Sequence, residues 1–270
     1  MRGQCLLGSR SEQETESTCP PLVSIVVPVY NEAHRIAATL DAVDTWVRAS
    51  ACRAEILVAD DGSTDNTADI VNQYVPATPW VRLIELPHGG KARAVLAGLR
   101  MAKGDIVGFM DADLATPLST LNTALEALQE GADVVIGSRE GPGASRVGEP
   151  WYRHAMGRVF NSLVRWTLLP GIQDSQCGFK FMTRDARDRI LPRVRLYTSE
   201  QTVAQARVTA FDVELLFIAR LRDMTVHVIP VAWQYGNQSK VNPVADTLQN
   251  LEDVARVWLN GKRKVYQRER

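Results

Sequence analysis

From Leu22 onward the chain alternates short runs rich in Val and Ile with longer segments of helical spacing, the trace left by strands joined through crossover helices. The pattern predicts strands at 22–29, 54–60, 80–86, 105–110 and 132–137 and helices at 32–49, 64–74, 91–103 and 117–129. A stretch rich in Gly, Pro and Arg at 139–150 breaks the rhythm. Beyond it the spacing predicts a helix at 151–168, a strand near 177–182, a polar stretch at 192–209, a helix near 211–222, a strand near 225–233 and an amphipathic helix at about 243–260. The fold class expected is therefore α/β, a sheet whose strands are joined by crossover helices. In such sheets ligands gather beyond the carboxyl ends of the strands.

A chain of 270 residues with 45% hydrophobic content can bury a large single core. Its 31 basic residues balance 31 acidic ones, which argues against a nucleic-acid partner. Cys5, Cys19, Cys52 and Cys177 form no C-x-x-C pair, so neither a zinc site nor a disulfide framework is indicated, and a reducing, cytoplasmic setting is the simplest reading. No apolar run approaches the roughly 20 residues that span a bilayer. Residues 1–21 read as a flexible polar leader, 22–242 as the folded domain, and 243–270 as a helix with a basic tail. That tail carries Lys262, Arg263, Lys264, Arg268 and Arg270 and is either a solvated terminus or a peripheral contact with the cytoplasmic face of an anionic membrane.

Three predicted strands end in acidic or polar turns. Asp111-Ala112-Asp113 follows the apolar run Ile106–Met110, and two carboxylates there offer hard oxygen ligands suited to Mg²⁺ or Mn²⁺. If the motif continues the strand, both outer carboxylates share one face; if not, it is a solvated turn. Asp60 and Asp61 precede Gly62 and a helix start, where one carboxylate can cap amides while the other accepts from a pyrimidine N–H or a ribose hydroxyl. Asp65 reads as structural. His88-Gly89-Gly90-Lys91-Ala92-Arg93 puts two glycines and two cations at a helix start, where an anion such as a diphosphate is favoured, though a solvated turn has the same composition. Arg139, Arg146, Arg153, Arg158 and Lys180 suggest a second anion site, with Arg158 and Arg165 alternatively solvating a helix face. Asp212 and Glu214 begin a helix, a place carboxylates favour in any protein, and Asp212 is the stronger catalytic candidate. The four histidines show no metal-ligand spacing and read as ordinary surface or core residues.

The ordered set Val23-Ser-Ile-Val-Val-Pro-Val-Tyr-Asn-Glu32, Val58-Ala-Asp-Asp-Gly-Ser-Thr-Asp65, Gly90-Lys-Ala-Arg-Ala-Val95 and Asp111-Ala-Asp113 resembles the family-2 inverting glycosyltransferases of the GT-A fold over about 22–240, which implies a Rossmann-like α/β architecture with a mixed, mostly parallel sheet and helices on both faces. Within that family the likeness is to the dolichyl-phosphate β-glucosyltransferase branch, carried by Asp111-Ala-Asp-Leu-Ala-Thr116, Gly137-Ser-Arg139, Asp174-Ser-Gln-Cys-Gly-Phe-Lys180 and Phe211-Asp-Val-Glu-Leu-Leu216. The resemblance implies a UDP-glucose donor. It implies that Pro28, Tyr30, Glu32, Asp60 and Asp61 surround the nucleoside, that Lys91 lies near it or the diphosphate, and that Asp111, Ala112 and Asp113 hold ribose and metal. Asp212, Arg139 and Asp174 are its catalytic candidates, and Arg139, Arg153, Gln176, Lys180, Ser239 and Lys240 its acceptor-phosphate candidates. Ala115 stands where mannosyl relatives can carry a metal-completing glutamine, and Gln238 replaces the usual glycine before Ser239-Lys240. Residues 197–206 look inserted, and the leader is polar where eukaryotic members of the branch carry a membrane helix.

The implied reaction is in-line attack by an acceptor oxygen on the anomeric carbon. A phosphate acceptor, already largely ionised near neutrality, needs no strong base, so Asp212 would orient it; a soluble hydroxyl acceptor would need Asp212 to take a proton. A nucleotidyltransferase, which would release pyrophosphate, and a non-catalytic nucleotide-sugar sensor are the rival readings.

Overall fold

The first predicted strand has Val23, Ile25, Val26 and Val27 all fully buried, which only a strand covered on both faces of its sheet can achieve. The computed structural model describes residues 21–50, 52–198, 210–234 and 243–267. In chain order the elements are β1 (Leu22–Val29), α1 (Ile36–Ala49), β2 (Arg53–Asp60), α2 (Thr67–Tyr74), β3 (Val81–Glu85), α3 (Lys91–Met101), β4 (Ile106–Met110), α4 (Ser119–Gln129), β5 (Val134–Ser138), β6 (Ser145–Val147), α5 (Trp151–Thr167), β7 (Phe179–Thr183), α6 (Arg184–Ile190), α7 (Phe211–Leu221), β8 (Val226–Pro230), β9 (Ala232–Gln234) and α8 (Pro243–Lys262). The leader to residue 20, residues 199–206 of the apparent insertion, Gln238, Ser239, Lys240, Arg268 and Arg270 lie outside the described residues.

The main sheet has seven strands in the order β3-β2-β1-β4-β7-β5-β8. Every pairing is parallel except those of β7, which runs antiparallel to both β4 and β5. Successive residues of β1 feed opposite layers: Val26 joins the core under α3, α5, α7 and α8, while Val23, Ile25, Val27 and Val29 join the core under α1, α2 and α4. The mixed, mostly parallel α/β architecture expected from the sequence is the one observed.

Several local departures have identifiable causes. α1 begins at Ile36 rather than near residue 32 because Asn31 takes a left-handed conformation and the amides of Arg35 and Ile36 close a turn onto the Glu32 carbonyl. The strand expected at 225–233 divides: β8 edges the main sheet, whereas β9 pairs with β6 in a separate two-stranded sheet. α6 was not anticipated; Thr183 caps it by accepting from the Ala186 amide. The basic tail is not free over 261–267, since Tyr266 is fully buried, lies 5.9 Å from the Phe217 ring and donates its hydroxyl to Glu214 at 2.8 Å.

Candidate active site

The carboxyl ends of β1, β2 and β4 meet along one rim, and side chains lock their turns together. Asn31 donates its amide to Ser63 Oγ at 2.9 Å while its Oδ1 accepts from the Thr64 amide at 2.7 Å, tying the end of β1 to the turn after β2. Asp60 Oδ1 accepts from the Ser63 amide at 3.1 Å, and Asp65 accepts from the amides of Thr67 and Ala33, which makes it structural as expected. Asp61 caps no helix. Its two oxygens accept from the amides of Gly89 and Gly90, each at 2.8 Å, so that it shapes the glycine loop in front of α3.

The same carboxylate fixes His88, a residue to which the sequence assigned no special part. His88 Nδ1 lies 2.8 Å from Asp61 Oδ2 and 3.0 Å from the Asp61 carbonyl; both neighbours are acceptors, so Nδ1 carries the proton. The ring stacks on Tyr30 at 4.2 Å with planes 12° apart, forming an aromatic shelf at the rim, and its buried Nε2 has no hydrogen-bond partner. Gly62 permits this approach, because a Cβ there would sit 2.8 Å from the His88 amide and its φ of 73° disfavours any side chain. The signal the sequence offered for His88 was its place directly before the glycine pair.

Lys91, the first residue of α3, pairs with Asp111. Burial works against the ammonium, but Asp111, with Asp212 and Asp113 behind it, outweighs that cost and holds Lys91 above the usual lysine value. Asp111-Ala112-Asp113 lies in the turn beyond β4 rather than within the strand, so the two carboxylates converge through a bend, with Leu114 left-handed after them, and not through strand alternation. Asp113 accepts from the Ala115 amide at 3.0 Å, and desolvation followed by repulsion from Asp111 pushes its carboxyl up. Gly178 makes room for Asp111: a Cβ there would lie 2.0 Å from Asp111 Oδ2, while the Gly178 carbonyl accepts the Asp111 amide at 3.1 Å. Among the described residues no three His, Cys, Asp or Glu side chains gather as a complete metal cage. Two adjacent hard carboxylates are instead the donor set of a divalent cation that fills its shell with ligand phosphates and water, so the residues fit Mg²⁺ or Mn²⁺.

Behind this cluster, Asp212 in the first turn of α7 is buried, with Lys180 Nζ 2.7 Å from its Oδ1. Lys180 is itself almost wholly buried on β7 and also donates to the Cys177 carbonyl at 2.7 Å. Its ammonium is thus engaged inside the protein. Burial pushes the Asp212 carboxyl up against the opposing pull of Lys180 and Lys91. Glu214 is structural: fully buried, it accepts from the amides of Arg195 and Leu196 and from the Tyr266 hydroxyl. Asp253 on α8 plays a similar part, accepting from the Tyr197 hydroxyl and, at 3.1 Å, from the Ala210 amide.

Of the cations expected to form a second anion site, Arg139, Arg146 and Lys180 come with carboxylate partners. Arg139 grips the fully buried Asp174 through Nε at 2.7 Å and Nη2 at 2.9 Å, and its own amide donates to the same carboxylate at 2.9 Å. Burial works against the Asp174 charge, yet Arg139 holds the carboxyl well below the usual range. Arg146 bridges Glu149 at 2.6 Å and Glu140 at 2.9 Å, and both guanidinium groups lie over the Trp233 ring, at 5.4 Å for Arg139 and 6.0 Å for Arg146. Arg139, Arg146, Glu140 and Glu149, with Trp151 and His154, line an open cavity of about 460 Å³. Gln176 keeps a buried Nε2 with no hydrogen-bond partner. Arg153 is in the first turn of α5; Ser239 and Lys240 fall outside the described residues.

Comparison with known proteins places this geometry in a family. The family model described as Glycosyl transferase family 2 matches residues 24–191. A dolichyl-phosphate beta-glucosyltransferase of Trichomonas vaginalis is 34% identical over 231 residues, 81% of this chain and 65% of that protein, so the match spans just under two thirds of the relative's length. The dolichyl-phosphate beta-glucosyltransferase of Homo sapiens is 30% identical over 86% of this chain and 73% of its own. Among solved structures, glucosyl-3-phosphoglycerate synthase from Mycobacterium tuberculosis, in complex with Mn²⁺, UDP and glucosyl-3-phosphoglycerate, shares the fold with a TM-score of 0.60 at 18% identity, covering 88% of this chain and 80% of that one. By sequence, fold and the order of its strand-end motifs, the chain belongs to glycosyl transferase family 2.

Proposed function

We propose that the chain transfers glucose from UDP-glucose, with inversion, to a lipid-linked phosphate of the dolichyl or polyprenyl type. The observation that carries this reading is the convergence of Lys91, Asp111 and Asp113 at the carboxyl ends of the parallel strands, next to a turn shaped by Asp60, Asp61 and His88. The relatives named above support the sugar and the acceptor. The nucleoside lies against Tyr30 and His88, with Pro28, Glu32, Asp60 and Asp61 framing the turn. Lys91 at the head of α3 faces the diphosphate, where its charge and the free amides of the helix favour an anion. A divalent metal held by Asp111 and Asp113 would neutralise charge growing on the leaving diphosphate.

An acceptor phosphate, with a second pKa of about 6, arrives already ionised, so the reaction needs orientation more than proton removal. Asp212, held by Lys180, supplies a fixed carboxylate beside the metal site, and Gln176 supplies a free donor for an acceptor oxygen. Arg139, fixed by Asp174 and lying over Trp233, gives the acceptor side a rigidly held guanidinium whose charge Asp174 balances.

The test is a donor-by-acceptor screen with Mg²⁺ or Mn²⁺, reading released nucleotide and glycosylated product by mass. UDP-glucose with polyprenyl phosphate should give UDP and a glucosylated lipid. Turnover of GDP-mannose with UDP-glucose ignored would overturn the sugar, glycosylation of water-soluble acceptors alone would overturn the lipid, and release of pyrophosphate would overturn the reaction class. Asp113→Ala should abolish metal-dependent donor binding, and unchanged affinity in that variant would remove the metal from this site.

A further inference from the structure

α5 has one face in the core and another, also apolar, that no described residue covers. Trp151, Val159 and Trp166 are 81%, 72% and 83% exposed, and Tyr152 and Leu163 are exposed with them. At about 100° per residue these five side chains fall in a stripe about 120° wide, as broad as the apolar face by which a helix normally joins a core. Phe160 and Val164, on the opposite side, are the residues that anchor the helix in the protein. Scattered exposed apolar residues need no explanation, but a continuous stripe with a tryptophan at each end does.

The charges around the stripe indicate what covers it. α5 contains Arg153, His154, Arg158 and Arg165 and no Asp or Glu. Arg158 and Arg165 run along one edge of the stripe, where Glu140, Asn161, Ser162, Gln173 and the two arginines line a polar cavity of about 200 Å³. An apolar stripe, tryptophans at its ends and a basic edge is the composition of a helix that lies in the plane of a bilayer surface, with its rings at the headgroup boundary and its guanidinium groups on lipid phosphates. The helix has 17 residues, and among the described residues no helix is long and apolar enough to cross a membrane, so it would lie on the bilayer rather than through it. Trp151 and His154 at its start also line the Arg139 cavity, which makes the stripe continuous with the acceptor side of the candidate site.

We infer that the exposed face of α5 is a membrane-docking surface that seats the protein on anionic lipid and presents the Arg139 side of the site to a lipid-borne acceptor. The inference extends the lipid-phosphate reading by naming the surface that meets the bilayer. Its test contains neither donor nor acceptor, so its failure and the failure of that reading are separable. The full chain is sedimented with vesicles of phosphatidylglycerol and phosphatidylcholine and with vesicles of phosphatidylcholine alone. Val159 and Leu163 already face solvent, so a Val159→Glu/Leu163→Glu variant keeps its unfolding temperature and should lose about tenfold or more of its partition onto anionic vesicles. Trp166→Ala should weaken binding as well, and Arg158→Gln/Arg165→Gln should remove the preference for anionic over neutral vesicles together with its salt sensitivity. The inference fails if the unmodified chain ignores both vesicles or if the glutamate variant sediments as well as the parent. It fails equally if the chain is a dimer that these substitutions convert to a monomer without changing vesicle binding, since the stripe would then face a second copy.

Discussion

Gly178→Ala tests whether the seat of Asp111, rather than its mere presence, controls the chemistry. The added Cβ would lie 2.0 Å from Asp111 Oδ2, 2.4 Å from its Cγ and 2.7 Å from its Oδ1, where ordinary contacts begin at 3.4 Å. The carboxylate therefore has to withdraw by about 1 Å or more, and a displacement of about that size at a reacting centre costs on the order of a hundredfold in rate, about 2.7 kcal/mol of transition-state stabilisation. Stability should respond differently. The crowded atoms belong to a side chain 37% exposed, which has room to swing away, and replacing glycine by alanine restricts the unfolded chain by about 0.4–1 kcal/mol. The expected result is a kcat/KM for UDP-glucose about a hundredfold lower, with an unfolding temperature that holds or rises. Full activity would show that Asp111 needs no fixed seat. A loss of activity matched by a collapse in unfolding temperature would show that the clash is relieved through the backbone, and either outcome refutes the reasoning.

Asp174→Asn should destabilise the fold near neutrality, by up to about 3–5 kcal/mol if Arg139 is left without its counter-charge. Because the Asp174 pKa is depressed in the folded state, its contribution is complete above the ordinary carboxylate value of about 4 and fades as pH falls toward the folded value; urea titrations across acid pH should find a shallower acid loss in the variant than in the parent. Tyr266→Ala should cost about 3–5 kcal/mol in urea unfolding through the lost burial and the hydroxyl taken from Glu214, and an unchanged midpoint would contradict the docked terminus. Cys177, fully buried and with its thiol pushed up to about 11, should resist iodoacetamide in the native protein while the half-buried Cys52 is labelled, as read by peptide mass.

The rim of strand ends was legible because a buried parallel strand writes itself as an unbroken apolar run and its ligand-facing end as the first polar residues after it. Val23–Tyr30, Glu55–Asp61 and Ile106–Asp111 all follow that rule. The direction of β7 was not legible, since an antiparallel strand flanked by β4 and β5 has the same buried sequence as a parallel one. Pairings between distant residues were hidden as well. Nothing local ties Arg139 to Asp174 or His88 to Asp61, so the arginine read as a free cation and the histidine as an ordinary residue. Gly178 stood inside a recognised motif, but its purpose depends on the Asp111 side chain 67 positions earlier, which only the fold brings against it. The basic tail was read by its charges; the one apolar side chain that decides its placement, Tyr266, carries no periodic signal in so short a segment.

Asp253 fastens both Tyr197, the first residue of the 197–206 stretch that looks inserted by sequence, and Ala210, shortly past its end. With both ends moored to one carboxylate on α8, the span between them has a fixed base whose width does not depend on how many residues bridge it. Doubling the length of such a span costs only about 0.6 kcal/mol in closure entropy. Asp212 follows two residues after the second mooring, so segments of different length could be grafted between Tyr197 and Ala210 while the start of α7, and the carboxylate it carries, keep their place. The fold thus separates the part of the chain that can diversify from the part that must stay registered.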